Sequence, residues 1–149
     1  MNQKEILYNF CASFIENRLD RIQKSIATIQ ESLSSETKSS AGDKHETGRA
    51  MLQLEREKLG KQLAEVEAIR QVLSKINVNL PIEKIRLGSL VKTNKANYFL
   101  SISAGEFKDD SNSVFCISVG TPIGQLLLGK SIGDNFVFND SKIEILRID

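Results

Sequence analysis

Gly42-Asp43-Lys44-His45-Glu46 decides how this chain of 149 residues folds, because two long apolar patterns are arranged on either side of it. Between positions 15 and 33 apolar residues recur at alternating steps of four and three, and Leu52, Leu59, Leu63, Val66, Leu73 and Ile76 continue the same kind of pattern. This spacing is typical of helices that pack lengthwise on a partner. The serine-rich stretch 34–42 has no large apolar residue, so it favours a turn. The pattern predicts a helical hairpin with an acidic tip at 42–46.

The two predicted helices also have a register. If they pair antiparallel within one chain, the position numbers of facing residues have a constant sum. Four apolar pairs each add to 85: Leu33 with Leu52, Ile26 with Leu59, Ile22 with Leu63, and Leu19 with Val66. We therefore expect an N-terminal antiparallel coiled-coil hairpin over residues 1–77.

A linker is predicted at 78–81, where Pro81 ends the helical pattern. Beyond it, residues 82–149 are expected to form a small, mostly antiparallel β-sheet domain, so that the fold class is α+β. Short runs rich in branched and aromatic residues predict its strands: 89–93, 98–102, 114–119, 135–138 and 142–148. One short helix is predicted over 122–128, with Thr121 as its N-cap and Gly129 at its end. Its three leucines are expected to plug the apolar face of the sheet.

Composition sets limits on function. A formal net charge of +1 argues against general nucleic-acid binding, because proteins held by phosphate contacts usually carry a clear basic excess. No stretch is apolar enough to span a membrane and the N-terminus lacks a signal-peptide pattern, so we expect a cytoplasmic protein. Cys11 and Cys116 are expected to be free core thiols. The sequence has no pair of nucleophile and base, no phosphate loop and no metal cluster, which argues against a free-standing enzyme.

Three motifs resemble those of the GreA/GreB transcript cleavage factors. The stretch 120–134 is similar to the family's C-terminal signature, in which a Ser-Pro or Thr-Pro helix leads into Leu-hydrophobic-Gly-Lys and then Gly-Asp. The stretch 87–91 is similar to the strand that opens the same domain. Gly42, Asp43 and Glu46 match the Gly-Asp-x-x-Glu at the bend of the family's coiled coil.

The resemblance implies a fold and a function. It implies an FKBP-like C-terminal domain that docks on bacterial RNA polymerase, and a coiled coil that enters the secondary channel. Asp43 and Glu46 would then help to hold Mg²⁺ and a water in the polymerase active site, where backtracked RNA is cut. The isolated protein is expected to bind no cofactor, and its contact with DNA would be indirect.

Other interpretations of the same residues stay open. Asp43 and Glu46 form a capping-box-like pattern that needs no catalysis. After Glu46 the family usually has Asn-Ala-Glu-Tyr, whereas this chain has Thr-Gly-Arg-Ala at 47–50. His45 is either a solvated side chain or a ligand. A non-cleaving regulator of the same channel and a coiled-coil adaptor without a polymerase partner are the alternative functions.

A basic group on the first arm is a candidate RNA contact. Arg18, Arg21 and Lys24 could reach the 3′ end of the nascent RNA. They are interleaved with acidic residues such as Asp20, and a solvated, charge-paired helix face is the alternative.

Overall fold

The computed structural model describes residues 2–38, 43–79 and 82–149, except for the side chains of 36–38 and 43–45. Within these ranges the elements are α1 (Gln3–Lys38), α2 (Asp43–Ser74), β1 (Leu90–Thr93), β2 (Asn97–Ser101), β3 (Gly105–Lys108), β4 (Ser113–Ser118), α3 (Pro122–Leu127), β5 (Asn135–Phe138) and β6 (Ser141–Ile148). The long helical pair, the sheet and the single short helix confirm the predicted fold class. None of the helices in the described ranges is long and apolar enough to cross a lipid bilayer.

The chain forms two compact units. The helical unit is Ile15–Arg70, and the sheet unit combines Met1–Phe14 with Gln71–Asp149. The first turns of α1 therefore belong with the sheet, although the sequence analysis assigned them to the hairpin.

Within the helical unit, α1 and α2 run antiparallel. Arg70 pairs with Glu16 at 3.7 Å between Nη2 and Oε1, and Arg18 approaches Glu65 at 3.9 Å between Nη2 and Oε2. Higher positions on α1 thus face lower positions on α2. Arg18 and Glu65 directly precede Leu19 and Val66, so their contact agrees with the predicted register.

Burial along this pair decreases from one end to the other. The buried apolar residues of the unit are Ile15, Leu19, Ile22, Leu59 and Val66. Ile26, Leu33 and Leu52, which are nearer in sequence to positions 39–42, are only half-buried, as is Leu63 between Leu59 and Val66. Two helices alone can cover one stripe each, so few neighbours remain to bury side chains near the turn. Packing there contributes less to stability than packing near Leu19.

The six strands form one sheet in the order β3-β4-β2-β1-β6-β5. Four of the pairings are antiparallel, and β2 with β4 is parallel, with Phe99 opposite Cys116. β3 was not predicted from the sequence, because its residues are mostly exposed and show no apolar alternation. β3 forms a hairpin with β4, and that extra strand brings β4 alongside β2 in the parallel direction.

One face of the sheet is covered by α3, and the other is covered in part by α1. On one face, Ile123 and Leu127 of α3 join a buried apolar cluster that includes Leu100 and Ile145. On the other face, Phe10 of α1 packs edge-on against Phe107, with ring centroids 5.4 Å apart. The sheet is therefore the central layer of its unit.

The prediction that three leucines plug the sheet was wrong in detail. Leu127 is fully buried, Leu126 is half-buried, and Leu128 is 39% exposed at the end of the helix. A helix buries one face, and residues four apart lie on the same face. Ile123 and Leu127 therefore both lie on the buried face of α3. Ile123 takes the place that the sequence analysis gave to Leu128.

Candidate functional site

The acidic tip lies at the start of the second long helix. Asp43 is the first residue of α2, so Glu46 lies in its first turn. The side chain of Glu46 is exposed. The side chains of Asp43 and His45 lie outside the described residues, so the capping and ligand hypotheses for them stay predictions.

The residue types at the tip fit Mg²⁺. Carboxylate oxygens are the ligands this ion prefers, and it commonly uses one or two protein carboxylates while it keeps several waters. Residues three apart on a helix lie on neighbouring positions of one face, which applies to Asp43 and Glu46 because α2 begins at Asp43. Elsewhere in the described part of the chain, no cluster of three or more His, Cys, Asp or Glu side chains could hold a metal ion.

The basic residues of the first arm form ion pairs along the helical unit. The Lys24 ammonium lies 2.9 Å from Asp20 Oδ2, one turn earlier on α1. Arg18 approaches Glu65 on α2. Arg21 is exposed. The contacts of Arg18 and Lys24 are those of a charge-paired face, and a role in RNA contact stays a prediction.

The start of α3 confirms the predicted cap. Thr121 Oγ1 accepts a hydrogen bond of 3.1 Å from the Gly124 amide, and Pro122 occupies the first helical turn. Gly124 is packed closely, since a Cβ built there would lie 2.4 Å from the carbonyl oxygen of Ser118. Only glycine fits this position without a shift of the backbone.

The residues after α3 tie two segments of the sheet unit together. The amide of Gly129 donates to the carbonyl of Ile85 at 2.8 Å, and the amide of Ile85 donates to Lys130 at 2.9 Å. Further on, the amide of Gly133 donates to the carbonyl of Ile145 at 2.8 Å. The Leu-Gly-Lys and Gly-Asp parts of the signature therefore have structural roles.

Lys130 also contacts an aromatic ring. Its ammonium lies 5.2 Å from the ring centroid of Phe136, within the range of a cation–π interaction. The signature lysine thus stabilises the strand β5 beside it.

Several apolar side chains of the sheet unit face solvent. Ile132 is 62% exposed, Val137 is 67% exposed and Leu146 is 51% exposed. The sequence analysis did not identify them. The sequence signal for an exposed Val137 was weak. Val137 lies between Phe136 and Phe138, which pack against the core, and the run does not alternate between polar and apolar residues.

The two cysteines are neighbours in the fold. Cys11 and Cys116 are free and buried, as the composition indicated. Cys11 Sγ lies 3.3 Å from Ser101 Oγ, and the thiols of the two cysteines hydrogen-bond to each other. That bond and burial raise the pKa of Cys116. The pair is a packing contact between α1 and the sheet.

Comparison with known proteins gives a structural likeness. No protein-family model matches the chain, and no curated protein matches it. Solved chains do match, among them the structure of the transcription factor Gfh1. That match has 20% sequence identity, covers 95% of this chain and 92% of the other, and has a TM-score of 0.35. Because the TM-score is this low, the likeness carries no argument about function, which has to be inferred from the chain's own residues.

Proposed function

We propose that this protein is a secondary-channel factor of bacterial RNA polymerase that stimulates cleavage of backtracked nascent RNA. The observation that carries the proposal is the start of α2 at Asp43, which puts Glu46 in the first turn with its side chain exposed. The resemblance of stretch 120–134 to the GreA/GreB signature adds support. The protein is an accessory factor, and the polymerase supplies the rest of the site.

The length of the helices suits delivery of the tip. At about 1.5 Å of rise per residue, the 32 residues of α2 extend about 48 Å. Charged side chains lie on the surface of the helical unit, and on α1 they include Arg18, Arg21 and Lys24. In this proposal the exposed Arg21 approaches RNA phosphates, whereas Arg18 and Lys24 lie beside the carboxylates of Glu65 and Asp20.

The chemistry of the tip follows from its two carboxylates. Mg²⁺ in a two-metal site lowers the pKa of a bound water and stabilises the attacking and leaving oxygens of a phosphodiester. Asp43 and Glu46 would hold the ion, directly or through water, from one face of α2. The side chain of Glu46 is exposed, so it is accessible for such a contact.

A second candidate is a regulator that enters the same channel without cleaving RNA. The stretch 47–50 favours it, because Thr-Gly-Arg-Ala replaces the family's Asn-Ala-Glu-Tyr and so lacks its additional acid. Gly48 also weakens the first turns of α2 by about 1 kcal/mol relative to alanine.

A transcript cleavage assay tests both candidates. Polymerase stalled in a backtracked complex is incubated with the protein and Mg²⁺, and RNA lengths are read on a gel. We expect shortened transcripts with the wild type and none above background with the Asp43→Asn, Glu46→Gln double variant. Glu57→Gln is the matched control, because Glu57 is an exposed acid on α2 away from the tip and should leave cleavage unchanged.

Binding to polymerase is measured in parallel by co-sedimentation. Binding without shortening would refute cleavage and support the regulator. Failure of the folded wild type to bind polymerase would refute both candidates and favour the coiled-coil adaptor.

A further inference from the structure

A cleft of about 320 Å³ lies in the sheet unit, away from the acidic tip in sequence. It is formed by the start of α1, strand β1 and the end of β6. Its lining residues are Asn2, Gln3, Lys4, Leu90, Lys92, Arg147 and Asp149. The volume is near the lower end of the range for small-molecule sites, about 300–1,000 Å³.

Two buried donors, on residues that line this cleft, have no acceptor in the part of the chain that the structure describes. Lys4 is only 7% exposed, and its Nζ has no hydrogen-bond partner among the described residues. The same holds for the amide nitrogen Nε2 of Gln3 beside it. Buried donors are nearly always hydrogen-bonded, because an unpaired one loses the contacts with water that it had before folding. The two groups point to an acceptor that the described residues do not supply.

The charge of the cleft indicates what that acceptor is. Three cations, Lys4, Lys92 and Arg147, line it together with one carboxylate, Asp149. Arg147 Nε is 3.0 Å from Asp149 Oδ2, so this pair is largely neutral and the two lysines carry the excess charge. A phosphate group has a charge of about −1.5 to −2 at neutral pH and several strong acceptor oxygens.

The start of α1 adds to this preference. Asn2 caps the helix, since its Oδ1 accepts a hydrogen bond of 2.8 Å from the Glu5 amide. The N-terminus of a helix carries partial positive charge that favours a bound anion. We propose that this cleft binds the phosphate group of a small molecule, with Lys4 and Lys92 as its charged contacts and Gln3 as a further donor.

The state of Lys4 agrees with this assignment. Burial lowers the pKa of Lys4, Asp149 opposes that effect, and Arg86 adds to it. A phosphate oxygen beside the ammonium would favour its charged form and supply the missing acceptor.

Titration with inorganic phosphate tests the proposal. Backbone amide NMR signals of the full chain are followed against sodium chloride at matched ionic strength. We expect saturable shifts at Gln3, Lys4 and Lys92. Lys4→Met keeps the length of the side chain and removes its charge, and it should weaken binding about tenfold or more, the usual effect of a lost charge-assisted hydrogen bond.

Matched variants keep the result interpretable. Lys92→Met should weaken binding as well, whereas Lys142→Met should not, because Lys142 is exposed on β6 and does not line the cleft. A thermal melt of each variant shows that it is folded. The proposal is refuted if phosphate shifts the amide signals no more than chloride does. It is also refuted if Lys4→Met and Lys92→Met bind phosphate as well as the wild type.

A nucleoside monophosphate serves as the second probe. Tighter binding than inorganic phosphate would identify a phosphomonoester as the ligand, and equal affinity would identify the free ion. Both results require the dependence on Lys4, so either one without it overturns the assignment.

Discussion

Substitution of Gly124 by alanine should destabilise the sheet unit, although alanine is normally the better helix former. The new Cβ would lie 2.4 Å from the Ser118 carbonyl oxygen and 2.9 Å from Thr121 Oγ1. A backbone carbonyl cannot rotate away like the end of a flexible side chain, so α3 must shift. A shift also strains the cap, in which Thr121 accepts the Gly124 amide.

The size of the effect follows from two costs and one opposing gain. Overpacking costs about 1–3 kcal/mol, and loss of an N-cap costs about 1 kcal/mol. Alanine recovers at most about 1 kcal/mol of helix propensity. We expect a net loss of about 1–3 kcal/mol, or a fall in Tm of about 2–12 °C for a protein of this size.

The assay is thermal or urea unfolding followed by circular dichroism. Gly120→Ala is the matched control, because a Cβ there would lie 3.6 Å from Ser118 Oγ, an ordinary contact. It should change stability by no more than about 0.5 kcal/mol. A Gly124→Ala protein as stable as the wild type would show that the close approach at Ser118 does not constrain α3.

Two further substitutions test stability elsewhere. Gly60→Ala in α2 should stabilise the chain by about 0.5–1 kcal/mol, because its Cβ would meet only the mobile end of Arg56 at 3.2 Å; lower stability in urea unfolding would contradict this. Lys4→Met should stabilise the phosphate-free protein by about 1–3 kcal/mol at neutral pH, since it removes an unpaired buried donor. Burial lowers the pKa of Lys4 below its ordinary 10.5. Between the lowered pKa and 10.5, the folded wild type binds fewer protons than the unfolded chain, so its stability rises with pH in that interval. The gain from Lys4→Met should therefore shrink as the pH rises towards 10.5 and stay constant below the lowered pKa; a gain independent of pH in unfolding measurements would refute the assignment to Lys4.

The sequence predicted the elements whose signals are local. The steps of three and four from Ile15 onward identify α1, and Thr121 with Pro122 identifies the start of α3, because capping and periodicity depend on neighbours in the chain. β3 gave no such signal. Its residues form a strand because β4 offers a free edge, which is a tertiary effect.

The cleft at Lys4 could not be predicted for the same reason. A lysine near the start of a helix is ordinary in sequence, and its significance comes from burial against β1 and β6, which are far away in the chain. Contact between Cys11 and Cys116 is likewise a product of topology. The tip differs: the residue types and their spacing are visible in the sequence, and the structure adds that α2 begins at Asp43.

The motif that carries the family resemblance and the residues proposed to act on RNA belong to different parts of the molecule. Gly124, Gly129 and Lys130 are accounted for by packing, hydrogen bonds and a ring contact within the sheet unit. These contacts give the motif a structural role in the sheet unit. Glu46 is exposed in the first turn of α2, and side chains near the turn are less buried than those near Leu19. Changes at Glu46 should alter cleavage without altering stability, whereas changes at Gly124 should do the reverse, so the two halves of the proposal can fail independently.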